Sequence, residues 1–170
     1  IVPLVTLNSP ANYSTGVLSP ANLSVNVSIG SGNPMTVNFW SQVGGISEGG
    51  GHTCGITNTD KTVWCRGYNT YGQLGDGNVE DTFLGFSQAQ AYGEDYVNYE
   101  FNSVSAGGFH TCGILTNGSV MCWGFNNNGQ VGNGSASDTV YNIYPTFVNT
   151  SNTFVSISAG SYHTCGIILN

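Results

Sequence analysis

Three histidines open the same four-residue string: His52-Thr53-Cys54-Gly55, His110-Thr111-Cys112-Gly113 and His163-Thr164-Cys165-Gly166. Imidazole and thiolate are ligands of zinc, so a His/Cys pair met three times raises the question of a metal centre. The histidines are 58 and 53 residues apart. If each string sits on its own sheet, equivalent positions lie on the order of 10 Å apart, the spacing of packed sheets, whereas one ion needs nitrogens about 2 Å away. The spacing therefore favours three separate histidines, each hydrogen-bonding a turn of its own sheet, and no metal or other cofactor is expected.

The cysteines suggest a different chemistry. Cys54 and Cys65 flank residues 55–64, and Cys112 and Cys122 flank the equivalent stretch around Asn117-Gly118, a strong tight-turn pair. Cysteines facing each other across a hairpin suit a disulfide, which for so short a loop is worth about 3 kcal/mol through loop-closure entropy. Zinc is the weaker alternative, because this spacing is not that of a finger. Disulfides imply an oxidising, extracytoplasmic compartment. Cys165 finds no partner ten or eleven residues on, so it is free, paired between chains, or matched by sequence beyond Asn170.

Six of the nine carboxylates cluster, at Asp76, Glu80, Asp81, Glu94, Asp95 and Glu100. Asp76, Asn78, Glu80 and Asp81 offer oxygens as calcium loops do, but the loop glycine and distal glutamate are missing, so a solvated loop is the default. Nothing in the sequence fixes two carboxylates at a glycosidase separation. Gly45-Ile46-Ser47-Glu48-Gly49 fits the nucleophile-elbow pattern, but it aligns with Ser-Val-Ser-Ala-Gly and Ser-Ile-Ser-Ala-Gly further on, and no helix follows. The chain reads as non-catalytic.

The elements that carry these residues are strands. Residues 63–78, V-W-C-R-G-Y-N-T-Y-G-Q-L-G-D-G-N, return at 120–135 as V-M-C-W-G-F-N-N-N-G-Q-V-G-N-G-S. Each unit also opens alike, with Val43-Gly44-Gly45-Ile46-Ser47, Phe101-Asn102-Ser103-Val104-Ser105 and Phe154-Val155-Ser156-Ile157-Ser158. Periods of this length, built from short strands and Gly-rich turns without any helical apolar period, read as propeller blades. These motifs resemble the regulator of chromosome condensation repeat family, whose pattern is approximately G-x-x-H-[ST]-x-A-L followed by V-[YF]-x-W-G-x-N-x-x-G-Q-L-G-x-G. The resemblance covers about residues 43–170. It departs at Gly55, Gly113 and Gly166, where that family usually has Ala, at Val131 for Leu, and at Arg66, which replaces the blade Trp that Trp123 keeps and suggests a first blade with a differently packed outer edge.

The expected fold is all-β: two full blades and a half, in units 43–100, 101–153 and 154–170, preceded by a β segment over 1–42. That segment reads as strands near 2–7, 23–29 and 35–40. V-T-L-N-S-P-A-N followed by L-S-V-N-V-S is weakly similar to an immunoglobulin-like opening, and it stops at about three strands where a sandwich needs seven.

Composition narrows the function. Charged residues make up 6% of the chain, against roughly 25% in typical soluble domains. Lys61 and Arg66 are the only lysine or arginine residues against a net charge of −7, which excludes a nucleic-acid backbone as partner and disfavours an anionic membrane. No apolar run is long enough to span a bilayer. The start at Ile1 without Met matches a processed secretory protein or a trimmed sequence. Asn12, Asn22, Asn26, Asn117, Asn133 and Asn149 head N-glycosylation sequons. With Asn, Ser and Thr this abundant, about four would arise by chance, so placement matters more: Asn22 and Asn26 on the polar side of a strand, Asn117 at a hairpin tip.

An unfinished blade leaves an unpaired strand edge. A neighbouring copy could fill it, with Ile1, Val2, Leu4, Val5 and Leu7 as the donated strand, giving a homopolymeric filament or surface array. The alternative is a secreted protein- or glycan-binding module, a piece of a larger propeller, with Tyr92, Tyr96, Tyr99, Phe101, Tyr141 and Tyr144 of loops 79–100 and 136–153 serving either as packing or as a stacking surface.

Overall fold

The computed structural model describes residues 5–7, 23–29, 33–39, 43–92 and 99–169. All regular structure among them is β, and the chain divides into two compact units, Ile1–Gln42 and Val43–Asn170.

In the first unit β1 (Val5–Leu7), β2 (Leu23–Ile29) and β3 (Asn33–Phe39) form an antiparallel sheet in the order β1-β2-β3. The register sets Val5 opposite Val27 and Val27 opposite Met35, with Thr6 opposite Asn26 and Asn26 opposite Thr36. Apolar and polar positions thus alternate in step across all three strands, as period-2 patterning requires. β3 begins at Asn33 and includes Pro34, earlier than the sequence suggested; as an edge strand it tolerates a residue without an N–H.

The second unit holds two four-stranded antiparallel sheets and a hairpin. The first blade is β4 (Val43–Glu48), β5 (His52–Thr57), β6 (Val63–Gly67) and β7 (Thr82–Gln88), in that order across the sheet. The second is β8 (Phe101–Ala106), β9 (His110–Leu115), β10 (Val120–Asn126) and β11 (Ser137–Phe147). Among the described residues, β12 (Phe154–Ala159) and β13 (Thr164–Ile168) pair with each other as a hairpin. Register slips recur at equivalent places, between Val43 and Gly45, Phe101 and Ser103, and Phe154 and Ser156. A second pair of slips ends at Gly67 and Gly124. Both glycines have positive φ, 116° and 98°, and a Cβ there would come within 2.4 Å of the Gly51 carbonyl and 2.7 Å of the Phe109 carbonyl. Only glycine fits a bulge that brings backbone this close.

The apolar core lies between the sheets. Cys54, Ile56, Val63, Cys65 and Leu74 of the first blade pack with Phe101, Leu115, Met121 and Trp123 of the second. Cys112, Ile114, Val120, Cys122 and Val131 form a second cluster against Val148, Phe154 and Ile157. Trp123 is fully buried, its ring edge-on to Phe101 at 6.0 Å. Arg66 holds the Trp123 position one blade earlier, opposite Thr53 as Trp123 is opposite Thr111. It stays partly exposed, its guanidinium 5.4 Å from the Phe86 ring centre and donating to the Phe83 carbonyl. Strand β7 of the first blade thus meets a cation of its own blade at the position where the second blade has tryptophan.

Candidate binding rim

The His-Thr-Cys-Gly strings lock one blade to the next. His52 Nε2 lies 2.7 Å from Thr111 Oγ1, and Thr111 Oγ1 donates to the Gln73 carbonyl at 2.8 Å. A hydroxyl has one proton to give. Since the Gln73 carbonyl can only accept, Thr111 must accept from His52, so the imidazole carries its proton on Nε2 and leaves Nδ1 bare. His110, Thr164 and Gln130 repeat the relay at 2.8 and 2.9 Å. This corrects the expectation that each histidine bonds within its own sheet: the partner is the threonine of the following unit, because the imidazole points out of its sheet at the adjoining one. Gly49 and Gly107 clear the way, since a Cβ on either would sit 2.6 Å from the Cε1 of His52 or His110. Burial, with a smaller contribution from the next histidine along, lowers His52 and His110 to about 4, so both are neutral at physiological pH.

Backbone and serine contacts repeat in step. Ser47 Oγ accepts from the Ala106 N–H and Ser105 Oγ from the Ala159 N–H, both at 2.9 Å. The serine of the elbow-like pattern is therefore an inter-blade clamp. Gly50 and Gly108 donate to the carbonyls of Gly107 and Gly160 at 3.0 Å.

The loops after β6 and β10 are organised by a buried asparagine. Asn69 Nδ2 reaches Asp76 Oδ1 at 3.1 Å and the Asn78 carbonyl at 3.1 Å, Asn69 N–H donates to Asp81 Oδ1 at 2.7 Å, and Asn69 Oδ1 accepts from Leu74. Asn126 does the same with Asn133, Ser135 and Val131. The oxygens of Asp76, Asn78 and Asp81 are thus directed at amide protons of their own loop, and Glu80 contributes its N–H to Asn78. Among the described residues no cluster of three or more His, Cys, Asp or Glu side chains could hold a metal ion.

These loops share one rim with the turns before β5, β9 and β13, since His52 pairs with Gly67 and His110 with Gly124. Aromatic rings run along that rim from blade to blade. Tyr71 meets Tyr141 at 5.1 Å, Phe125 at 4.8 Å and Phe109 at 5.4 Å, and Phe109 meets Tyr162 of the third unit at 6.2 Å. Tyr68 packs on Phe83 at 5.2 Å. Phe109 is 37% exposed, Tyr162 52% and Tyr68 54%. Only Tyr141 of this group was singled out from the sequence. Phe101 is instead core, Tyr99 packs on Phe147 and Tyr92 on Tyr144. Tyr96 lies outside the described residues. The missed rings carry a signal in hindsight: Phe109 and Tyr162 directly precede the repeated histidine, and Tyr68 and Phe125 directly follow the bulge glycine.

The cysteines form Cys54–Cys65 and Cys112–Cys122 disulfides, each pair directly opposite in register with Cα atoms 4.1 Å apart. Cys165 is free and exposed. Asn117 is exposed at the β9–β10 tip, its Oδ1 accepting from the Ser119 N–H; Asn149 is exposed. Asn133 is half-buried and its amide nitrogen donates to Asn142 Oδ1 at 3.1 Å. Asn26 lies in β2, and Val5 and Leu7 pair with β2 of their own sheet. Ile1, Val2, Leu4, Asn12, Asn22, Glu94 and Asp95 lie outside the described residues. Lys61 reaches Asn102 at 3.4 Å, so with Arg66 both cations are tied to neighbours.

The regulator of chromosome condensation (RCC1) repeat matches residues 46–73 and 101–130, and again residues 117–167, more than half of the chain in all. The ultraviolet-B receptor UVR8 of Arabidopsis thaliana is 27% identical over 99 residues, which cover 58% of this chain and 21% of the receptor. Among solved structures, human WBSCR16 aligns with a TM-score of 0.67 at 17% identity, over 89% of this chain and 41% of that one. Yeast RCC1 (Prp20), bound to Kap60, aligns at 0.62 and 21% identity, over 79% and 31%. The ectodomain of the receptor kinase CR4 of Physcomitrella patens aligns at 0.51 and 25% identity, over 88% and 32%. The chain thus spans less than half the length of each of these relatives. With its blade order, inter-blade relay and repeat match together, the chain belongs to the RCC1 repeat family of β-propellers.

Proposed function

We propose that this chain is a non-catalytic binding module of an extracytoplasmic compartment, which recognises a protein partner through the aromatic rim. The carrying observation is the run of rings from Tyr141 through Tyr71 and Phe109 to Tyr162, partly exposed and spanning three repeat units. Aromatic side chains supply contact area at low entropic cost and are enriched at interfaces. The net charge of −7 and the tied cations select a neutral or basic partner surface. Two disulfides support the oxidising location, as does the likeness to a receptor-kinase ectodomain. The test is a photo-crosslinking residue at Tyr162 on intact cells of the source organism, with a glycan microarray in parallel. Crosslinks to one protein that vanish in Phe109→Ser/Tyr162→Ser support the reading; crosslinks unaffected by that pair, or binding to glycans alone, contradict it.

Self-assembly into a filament or surface array is the second reading, favoured by the edge position of Val5–Leu7 in its own sheet. Light scattering of concentrated protein tests it, and a dispersed monomer counts against it.

A further inference from the structure

The triplet Asn-Gly-Ser occurs at Asn117-Gly118-Ser119 and again at Asn133-Gly134-Ser135, and the two copies sit in opposite chemical situations. An asparagine followed by glycine is open to attack by its own main chain, because a glycine nitrogen with no Cβ beside it can reach the side-chain amide carbon. In a folded chain the attack needs that nitrogen free, and it gains from donors placed on the oxygen that becomes negative.

In the β9–β10 turn the nitrogen is occupied. Gly118 N–H donates to the Leu115 carbonyl at 2.9 Å, and Asn117 Oδ1 accepts from one donor, the Ser119 N–H at 2.9 Å. Asn128-Gly129 is closed in the same way, with the Gly129 N–H on the Asn126 carbonyl at 3.1 Å. In the loop after β10 both conditions are met. Gly134 is exposed and, among the described residues, its N–H has no acceptor. Asn133 Oδ1 accepts from three donors, Ser135 Oγ at 2.8 Å, Ser135 N–H at 3.1 Å and Asn126 Nδ2 at 3.2 Å. Asn126 is buried, so its amide is a fixed donor. Asn133 Nδ2, on Asn142 Oδ1 at 3.1 Å, is the group to be lost.

The first blade shows that the loop accepts the product. Asp76 and Gly77 stand there at the Asn133 and Gly134 positions, and Asp76 Oδ1 accepts from Asn69 Nδ2 at 3.1 Å and from the Asn78 N–H at 3.4 Å. The buried asparagine amide that contacts Asn133 in one loop thus contacts a carboxylate in the other.

We propose that Asn133 is a self-modifying site, which deamidates in the folded protein to aspartate and isoaspartate while Asn117, in the same triplet, stays intact. The Gly134 nitrogen bonds to Asn133 Cγ and charge gathers on Oδ1 under its donors. The Cγ–Nδ2 bond then breaks, and Nδ2 leaves as ammonia with the proton that Gly134 gave up. Solvent water opens the resulting succinimide. Opening at the Cγ–N bond gives aspartate and reproduces the Asp76 loop, whereas opening at the main-chain carbonyl gives isoaspartate and lengthens the backbone. Either product adds one negative charge to the −7 of the chain.

The test incubates the full chain, made without glycans in an oxidising compartment, at mildly alkaline pH, and maps peptides for the amide-to-acid mass change and for isoaspartate. In the folded protein Asn133 should convert at least about tenfold faster than Asn117 or Asn128, since freeing the glycine nitrogen at those two sites first costs a hydrogen bond. The reduced, unfolded chain is the control, in which the two identical triplets should react at equal rates. Ser135 is exposed, and Ser135→Ala should slow Asn133 about threefold in the folded chain but not in the unfolded one, because a donor to Oδ1 is gone. Equal rates at Asn117 and Asn133 in the folded protein would overturn the proposal, as would an Asn133 that folding slows as much as Asn117, or a folded Ser135→Ala chain that reacts at the native rate. The site stands apart from the rim reading, and no outcome here bears on that reading.

Discussion

The junction of the first and second blades and the junction of the second blade with the third hairpin use the same serine clamp, the same glycine contact and the same His–Thr–Gln relay. They differ in what lies beyond. The first is sealed by Trp123 and leaves His110 and Thr111 wholly buried, while the second leaves His163, Cys165 and Ile167 in solvent. The comparison teaches that the polar relay sets the register of neighbouring units, and that the indole and the outer strands supply the burial. Arg66 varies the same position one blade earlier: where the second blade has its tryptophan, the first has a cation lying on Phe86.

The contrast can be broken first at its apolar seal. Trp123→Ala should cost about 3–5 kcal/mol, as large-to-small changes at buried aromatics do, read as a lower urea midpoint. Replacing Cys112 and Cys122 together by Ala should cost about 3 kcal/mol, measured in the same way. Thr111→Val keeps the shape but leaves the His52 N–H unpaired and the Gln73 carbonyl with Trp123 Nε1 as its remaining donor, so a loss of about 1–3 kcal/mol is expected, with a smaller loss for Thr164→Val at the junction of the second blade with the third hairpin. Acid should act on the buried histidines. Unfolded imidazole takes a proton near 6.5 while His52 and His110 in the folded chain resist until about 4, so the unfolded state holds more protons in between. Stability present above 6.5 should therefore fall steadily as pH drops from 6.5 towards 4, which urea titrations at several pH values would show; a flat profile contradicts neutral buried histidines. The smallest effect belongs to His163→Ala, expected within about 0.5 kcal/mol because the side chain is exposed. On the surface, peptide mapping of native protein should find any glycan at Asn117 rather than at Asn133, whose amide nitrogen is already engaged.

Blade order and the hairpin cysteine pairs were readable because both are local: a strand, a turn and its return strand lie within one repeat, and Asn117-Gly118 marks the turn. The direction of the histidines was not readable. Whether His52 bonds inside its sheet or across to Thr111 depends on how two sheets face each other, which no string of residues states. The rim was hidden for a related reason, since Tyr71, Phe109, Phe125 and Tyr162 are scattered singly and meet only when three units stack. The apparent calcium loop shows the converse: Asp76, Asn78 and Asp81 look like a ligand set until Asn69, seven residues upstream of the first, turns its amide onto them.

Hydrogen–deuterium exchange of the whole chain tests the difference between the closed and open junctions most directly. The amides pairing β8 with β9 should exchange only on global unfolding, and those pairing β12 with β13 at least about tenfold faster through local opening, because Val155 and Ile167 of that hairpin are exposed whereas β9 is buried throughout. Equal protection of the two ladders would contradict the account.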